Sequence, residues 1–123
     1  MANILVVEDE IHIQRLIKLV LEKQSHQVDC VGSGEEALEF LLKVPKLDLI
    51  LLDIMMPGID GLQVLRKLKA NSGQKSIPVV LLTALAQENV VIQGIKLGAA
   101  DYIRKPFHPT ELVKRLSKHL IAG

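Results

Sequence analysis

Four short hydrophobic runs in this sequence each lead into polar or charged side chains that could carry out chemistry. These side chains belong to Glu8, Asp9, Asp53, Thr83, Arg104 and Lys105. If the runs are parallel strands of one sheet, their carboxyl ends lie along the same edge, where open α/β sheets bind their ligands. Three carboxylates, a hydroxyl and an ammonium would then converge on one spot.

The three carboxylates suggest a metal site that works with a phosphate. Neighbouring acids disfavour one another's ionisation, so the cluster would either raise a carboxyl pKa or bind a cation. Mg²⁺ is the simpler solution, because it prefers a few carboxylates plus water and often shares its shell with a phosphate. Asp53 could then attack a phosphoryl group and form an aspartyl phosphate. Lys105 would balance charge, and Thr83 would donate a hydrogen bond to a phosphoryl oxygen.

The elements that must position these residues follow from the hydrophobic periodicity. Aliphatic runs predict strands at residues 4–7, 28–31, 47–52, 78–82 and 101–104, and the segments between and after them repeat apolar residues at helical spacing. The fourth helix, residues 88–97, is the weakest, because its β-branched residues and interior Gly94 are poor helix formers. The alternation predicts a (βα)5 doubly wound parallel sheet in a single domain covering residues 1–123.

Composition and charge narrow the range of functions. The 123 residues carry 15 Lys and Arg against 14 Asp and Glu, a formal net charge of +1, so no strong field favours nucleic acid or an anionic membrane. Cys30 is the single cysteine and cannot form an intramolecular disulfide. Neither a signal peptide nor a membrane span is indicated, and we expect a cytoplasmic protein.

Four segments taken together resemble the receiver domain of bacterial two-component response regulators. They are Ile4 to Glu10, Leu51 to Gly61, Leu82 to Ala84 and Gly98 to Phe107. The resemblance covers nearly the whole chain and implies a flavodoxin-like sheet of order 2-1-3-4-5, in which strands 1 and 3 are neighbours. It also implies a cis peptide bond between Lys105 and Pro106.

The resemblance implies a phosphoacceptor and a set of metal ligands. Asp53 would take a phosphoryl group from the phosphohistidine of a sensor histidine kinase or a phosphotransfer protein. The ligands of a Mg²⁺ ion would be Glu8, Asp9, Asp53 and the backbone carbonyl of Met55. The protein would then be a signalling module that catalyses its own phosphorylation and dephosphorylation, and not an enzyme with a separate substrate.

The remaining roles implied by the resemblance concern the switch. Thr83 and Lys105 would contact the phosphoryl oxygens, and the small Ala84 would leave the path to Asp53 open. Tyr102 would turn inward when Thr83 moves. Phosphorylation would bias a two-state equilibrium, read out by a downstream partner at the face of helix 4, strand 5 and helix 5.

Helix 4 is informative because its apolar residues occupy two arcs. Val91, Ile92 and Ile95 lie on one arc, and Val90 and Leu97 lie on the other. One arc must face the core. The other either lines a neighbouring element or forms an exposed apolar patch for a partner.

Receivers joined to a winged-helix DNA-binding domain dimerise through salt bridges on this same face. Residues that match that set are Asp101, Glu111 and Arg115, whereas the charges expected elsewhere are replaced by Val91, Leu97 and Ala100. That dimer mode is therefore in doubt, and we expect a monomer or a weak, phosphorylation-dependent dimer. Direct contact of this domain with nucleic acid is not expected.

The histidines do not form a ligand set. His12, His26 and His119 share no metal-ligand spacing and are interpreted as surface residues, while His108 stands where a Ser or Thr cap is usual.

Other functions stay open at this point. The chain could be a receiver fragment of a longer DNA-binding transcriptional response regulator. An aspartyl-phosphate phosphatase of the haloacid dehalogenase type would need a second Asp where this chain has Met55. A flavodoxin-like cofactor binder would need a phosphate-cradling loop, and the run Glu8 to Glu10 would repel a phosphate.

Overall fold

The computed structural model describes residues 2–43, 46–84 and 88–120, and within them strands and helices alternate. In chain order the elements are β1 (Asn3–Val7), α1 (Ile11–Glu22), β2 (Gln27–Val31), α2 (Gly34–Lys43), β3 (Leu49–Asp53), α3 (Gly61–Ala70), β4 (Val79–Ala84), α4 (Glu88–Lys96), β5 (Asp101–Lys105) and α5 (Pro109–His119). All strand pairs are parallel, in the order β2-β1-β3-β4-β5. The predicted (βα)5 doubly wound fold and its sheet order are confirmed.

Helix packing on both faces of the sheet explains why the central strands are apolar throughout. One face belongs to a cluster that includes Leu5, Leu52 and Leu81, and the opposite face to a cluster that includes Ile4 and Leu51. Every residue of β3 is buried. A parallel sheet covered on both sides leaves its carboxyl edge as the place where polar side chains can collect.

The strand boundaries differ from the prediction at the points that matter for the site. β3 begins at Leu49, two residues later than the predicted start, and includes Asp53 as its last residue. β4 likewise continues through Thr83 and Ala84. The ladder from Asp53 to Leu82 and the bond from the Ile54 N–H to the Leu82 carbonyl, 3.1 Å long, keep these residues in regular strand geometry.

Side chains cap the helices that follow the strands. Glu10 caps α1 by accepting from the N–H of His12 at 2.9 Å. Ser33 Oγ accepts from the N–H of Glu36 at 3.1 Å and so caps the start of α2. His108 occupies the N-cap of α5, where its Nδ1 accepts from a backbone N–H.

Helix α4 packs on the sheet through a glycine. A Cβ atom at Gly94 would overlap Leu81 Cδ1, so glycine lets α4 approach β4 closely, and a larger residue would force the Leu81 side chain to shift. Val91 is half-buried against the core, while Ile92 and Ile95 are 52% and 44% exposed. All three residues line one groove, so they share an arc as predicted, and Val90 and Leu97 of the other arc pack against the core.

Two further features concern the backbone between Lys105 and Pro106 and the length of the helices. The peptide bond between Lys105 and Pro106 is cis, as the resemblance implied. Across the described ranges, the structure has no helix with the length and apolar character needed to span a membrane.

Candidate functional site

Buried polar side chains lie together at the carboxyl edge of the sheet. Among the described residues, the buried polar or charged ones are Glu8, Asp53 and Thr83, and all three lie at this edge. Glu8 follows β1, Asp53 ends β3, and Thr83 lies near the end of β4. Burying polar groups costs free energy unless they are paired, so their concentration at one edge indicates a functional site.

Three carboxylates meet at this edge. One oxygen from each of Glu8, Asp9 and Asp53 lies within 4.8 Å of the others. Glu8 and Asp53 are buried, whereas Asp9 is exposed. Adjacent strands β1 and β3 bring them together, as the predicted sheet order requires. The sequence prediction that these three acids are neighbours is confirmed.

Lys105 brings a positive charge to the acids. Its Nζ lies 2.6 Å from Glu8 Oε1 and 3.1 Å from Asp53 Oδ2, and its side chain is 20% exposed. Burial lowers the pKa of the Lys105 ammonium, but the two carboxylates outweigh burial and raise it above its ordinary value. Lys105 is therefore held as an ammonium against both acids.

Glu8 lies in the least solvated position of the cluster. Burial raises the pKa of Glu8 to about 7, and Asp53 adds to the rise, although Lys105 and the N–H of Glu10 act against it. Its Oε2 accepts from that N–H at 3.0 Å. Its Oε1 is buried and has no hydrogen bond of good geometry within the described ranges, so the short contact with Lys105 is an ion contact only.

The loop after β3 holds the Asp53 carboxylate from the other side. The N–H of Met55 donates to Asp53 Oδ1 at 3.1 Å, and the Met55 side chain is 58% exposed. Gly58 adopts a φ of 78°, which the turn requires. A Cβ atom at Gly61 would overlap the Asp53 carbonyl oxygen, so α3 can begin close behind the acid.

The residues present fit a divalent cation. Three carboxyl groups share one ammonium within this set, so a further cation would offset their mutual repulsion. Glu8 Oε1 is a buried oxygen of the cluster whose described contact is the ion contact with Lys105. All donors are hard oxygens, the kind that Mg²⁺ and Ca²⁺ prefer. The cluster could therefore hold a metal.

Thr83, Ala84 and Tyr102 lie together on the side of the site toward α4. The Thr83 hydroxyl donates to the Ala84 carbonyl at 3.2 Å. All three residues line a mostly apolar groove of about 490 Å³, whose other wall is α4, including Ile92 and Ile95. The groove connects the carboxyl edge to the face that sequence analysis assigned to partner recognition.

A polar cluster joins β5 to α5 behind Tyr102. Arg115 Nη1 lies 2.9 Å from Asp101 Oδ1, and its guanidinium carbon lies 5.7 Å from the Tyr102 ring centre. His119 Nε2 lies 3.1 Å from Asp101 Oδ2. Burial raises the pKa of Asp101, but His119, the N–H of Tyr102 and Arg115 together outweigh it and hold the pKa below its ordinary value.

This cluster corrects one sequence interpretation and qualifies another. His119 is not a free surface residue, because the turn of α5 places it over Asp101, a contact between residues 18 apart that no spacing rule reveals. His12 is exposed as predicted, while His26 is half-buried and accepts from the N–H of Ala2. Within this chain Arg115 is already paired with Asp101, one of the residues that matched the dimer set.

The fold and the site define a class of protein. A family model described as the response regulator receiver domain matches residues 4–117. The chain belongs to this family and is a receiver domain of two-component response regulators. The match supports the receiver interpretation over the phosphatase and flavodoxin-like alternatives.

Individual relatives agree with this assignment. The transcriptional regulatory protein ResD of Bacillus subtilis is 43% identical over 114 residues, which cover 93% of this chain and 46% of ResD. SrrA of Staphylococcus aureus, also a transcriptional regulatory protein, is 42% identical with the same coverage. The chain therefore spans about half the length of these curated relatives.

Solved structures resemble it over nearly the whole chain. A putative response regulator from Chloroflexus aurantiacus is 34% identical with a TM-score of 0.92, and the match covers 98% of each chain. The chemotaxis protein CheY4 of Vibrio cholerae is 30% identical with a TM-score of 0.91, covering 98% of this chain and 99% of CheY4.

Proposed function

We propose that Asp53 accepts a phosphoryl group from a histidine kinase or a phosphotransfer protein in the cytoplasm, in a reaction that requires Mg²⁺. The observation that carries the proposal is the meeting of three carboxylates with the Lys105 ammonium at one edge of the sheet. The proposed metal ligands are Glu8, Asp9, Asp53 and the backbone carbonyl of Met55. Bound Mg²⁺ would supply electrostatic stabilisation of the phosphoryl oxygens.

Two neighbouring residues orient the carboxylate of Asp53 for phosphoryl transfer. Met55 and Lys105 hold the two oxygens of Asp53 in fixed directions. One of these oxygens attacks phosphorus, and the bond to the donor imidazole nitrogen breaks, with its electron pair passing to that nitrogen. Lys105 is already charged and close, so it can turn to the new phosphoryl oxygens without a proton transfer.

The switch follows from the charge that the reaction adds. An acyl phosphate at Asp53 presents anionic oxygens that need donors, and we assign Thr83 and Lys105 to that task. Thr83 then gives up its contact with the Ala84 carbonyl. Tyr102 lines the same groove, so a shift of Thr83 changes the space open to its ring. The altered face of α4, β5 and α5 is then read by a downstream partner.

This receiver domain is proposed to work as part of a longer protein. Residues 1–123 would act as a single receiver unit, and the named roles of ResD and SrrA make a longer DNA-binding transcriptional regulator the favoured context. In that context the receiver makes no direct contact with nucleic acid. It acts as a monomer or a weak, phosphorylation-dependent dimer.

Labelling with a small phosphodonor tests the proposal. Acetyl phosphate with Mg²⁺ should add one phosphoryl group, seen by intact-mass spectrometry, and EDTA should prevent it. Asp53→Asn should abolish the addition, whereas Asp29→Asn, an exposed residue of β2, should not. Labelling of the Asp53→Asn chain at the rate of the unaltered chain contradicts the assignment.

A further inference from the structure

Gln14 of α1 binds two main-chain carbonyls at the edge where the acids lie. Its Nε2 lies 2.7 Å from the carbonyl oxygen of Glu8 and 3.1 Å from that of Val31. A primary amide nitrogen carries two N–H donors, so both donors of Gln14 are used. Only the orientation with nitrogen toward the carbonyls satisfies both contacts.

These carbonyls belong to the ends of neighbouring parallel strands. Val7 is paired with Val31 in the register of β1 and β2. The N–H of Glu8 extends that ladder by donating to the Val31 carbonyl at 3.0 Å. Gln14 adds two side-chain donors at the same point, so α1 is joined directly to the end of the ladder.

The result is that Glu8 is fixed at nearly all of its polar atoms. Its N–H donates to Val31, its carbonyl accepts from Gln14, and its Oε2 accepts from the N–H of Glu10. Oε1 is the remaining polar atom, and it is buried next to Lys105 without a hydrogen bond in the described part of the chain. The backbone that Gln14 holds is therefore one of the constraints on where the Glu8 carboxylate lies, together with the contacts of Glu10 and Lys105.

We infer that Gln14 is a positioning residue for the proposed metal and phosphoacceptor site. Gln14 acts through the Glu8 carbonyl, which places the carboxylates of Glu8 and Asp9 beside Asp53. This inference rests on the proposed role of the acids as metal ligands. Groups behind metal ligands commonly contribute about 10- to 100-fold to metal affinity.

Substitution of Gln14 combined with Mg²⁺ titration tests this role. Gln14→Met keeps the length of the side chain and removes both donors, and Gln14→Glu turns a carboxylate toward two carbonyl oxygens. Mg²⁺ binding is followed through amide chemical shifts of the chain, and phosphorylation through acetyl phosphate labelling. Both variants should raise the dissociation constant for Mg²⁺ roughly tenfold and slow labelling at subsaturating Mg²⁺.

Two control variants separate positioning from general loss of structure. Gln24→Met alters an exposed glutamine just after α1 and should bind Mg²⁺ normally. Val28→Ala removes buried volume from β2, in the same apolar cluster as Ile17 of α1, without touching the acids. It should lower the free energy of unfolding while leaving Mg²⁺ affinity unchanged.

The outcomes distinguish this inference from the proposed function. If Asp9→Asn weakens Mg²⁺ binding while Gln14→Met binds Mg²⁺ as tightly as the unaltered chain, Gln14 is only structural and the inference is overturned. If the unaltered chain does not bind Mg²⁺, the proposed function fails and the inference fails with it. Loss of affinity in both Gln14 variants, with normal affinity in Val28→Ala, supports the positioning role.

Discussion

Lys105 Nζ lies 3.1 Å from Asp53 Oδ2, although the two residues are 52 positions apart in the sequence. They meet because β3, β4 and β5 are consecutive parallel strands that end along one edge. The same ammonium lies against Glu8, so one lysine is shared between two buried acids. Its charge is needed both before and after the proposed transfer.

Removal of the Lys105 charge should separate phosphoryl transfer from metal binding. Lys105→Met leaves the three carboxylates in place and removes a competing cation, so Mg²⁺ binding should not weaken. Labelling by acetyl phosphate should slow roughly a hundredfold, since the phosphoryl oxygens lose a charged partner. Lys118→Met, on the exposed side of α5, is the matched control. A labelling rate within twofold of the unaltered chain would refute the role of Lys105.

Asp9 should matter for the metal more than for the fold. Asp9→Asn removes a charged oxygen ligand from an exposed position, so the dissociation constant for Mg²⁺ should rise at least about tenfold, or roughly 1.4 kcal/mol. The free energy of unfolding without metal should change little. Calorimetric titration measures the affinity, with Asp29→Asn as the control. An unchanged titration curve would remove Asp9 from the ligand set.

His26, at the opposite edge of the sheet, should make the free energy of unfolding depend on pH. Its Nδ1 accepts from the N–H of Ala2 at 3.2 Å, which requires an unprotonated nitrogen. Burial lowers the pKa of His26 below its ordinary value of 6.5, although Asp48 acts against this. The unfolded chain therefore takes up the proton more readily, and the contribution of His26 to stability is lost as pH falls below about 6.5.

Denaturant unfolding between about pH 5 and pH 8 checks this sign. The loss of unfolding free energy below about pH 6.5 should be smaller in His26→Gln than in the unaltered chain. His12→Gln, at an exposed position, should follow the unaltered chain. Parallel curves for the unaltered chain and His26→Gln over the whole range would show that His26 does not couple folding to pH.

Gly94→Ala should lower the free energy of unfolding, although helix propensity favours alanine. Alanine is a better helix former than glycine by about 1 kcal/mol, yet the new Cβ at this site would overlap Leu81 Cδ1. Overpacking commonly costs about 1–3 kcal/mol, so after the gain in helix propensity Gly94→Ala should give a net loss of up to about 2 kcal/mol. Gln93→Ala, on the exposed side of α4, is the control. A more stable Gly94→Ala chain would contradict the described packing of α4.

The core of the site was predictable because its residues follow strands that periodicity reveals. Glu8, Asp9 and Asp53 are neighbours as expected, since parallel strands share one carboxyl edge. The order that makes β1 and β3 adjacent is not contained in periodicity, and it came from the resemblance to a family. Periodicity also placed the end of β3 one residue too early, because hydrophobic patterning does not count an acid such as Asp53 as part of a buried strand.

Contacts that a side chain makes with groups distant in the sequence could not be predicted from the sequence. Gln14 is an ordinary helix residue in its local pattern, and only the packing of α1 on β1 and β2 brings its amide to two carbonyls. His119 reaches Asp101 in a similar way, through the packing of α5 against β5. The arcs of α4 could not be ranked, because Gly94 has no side chain to reveal which face approaches Leu81.

The most direct test of the account is the location of the phosphoryl group. After incubation with acetyl phosphate and Mg²⁺, borohydride reduction converts an aspartyl phosphate to homoserine, and peptide mass spectrometry identifies the altered position. The account predicts homoserine at position 53 and unaltered acids at Glu8 and Asp9. Homoserine at another aspartate, with Asp53 intact, would contradict it.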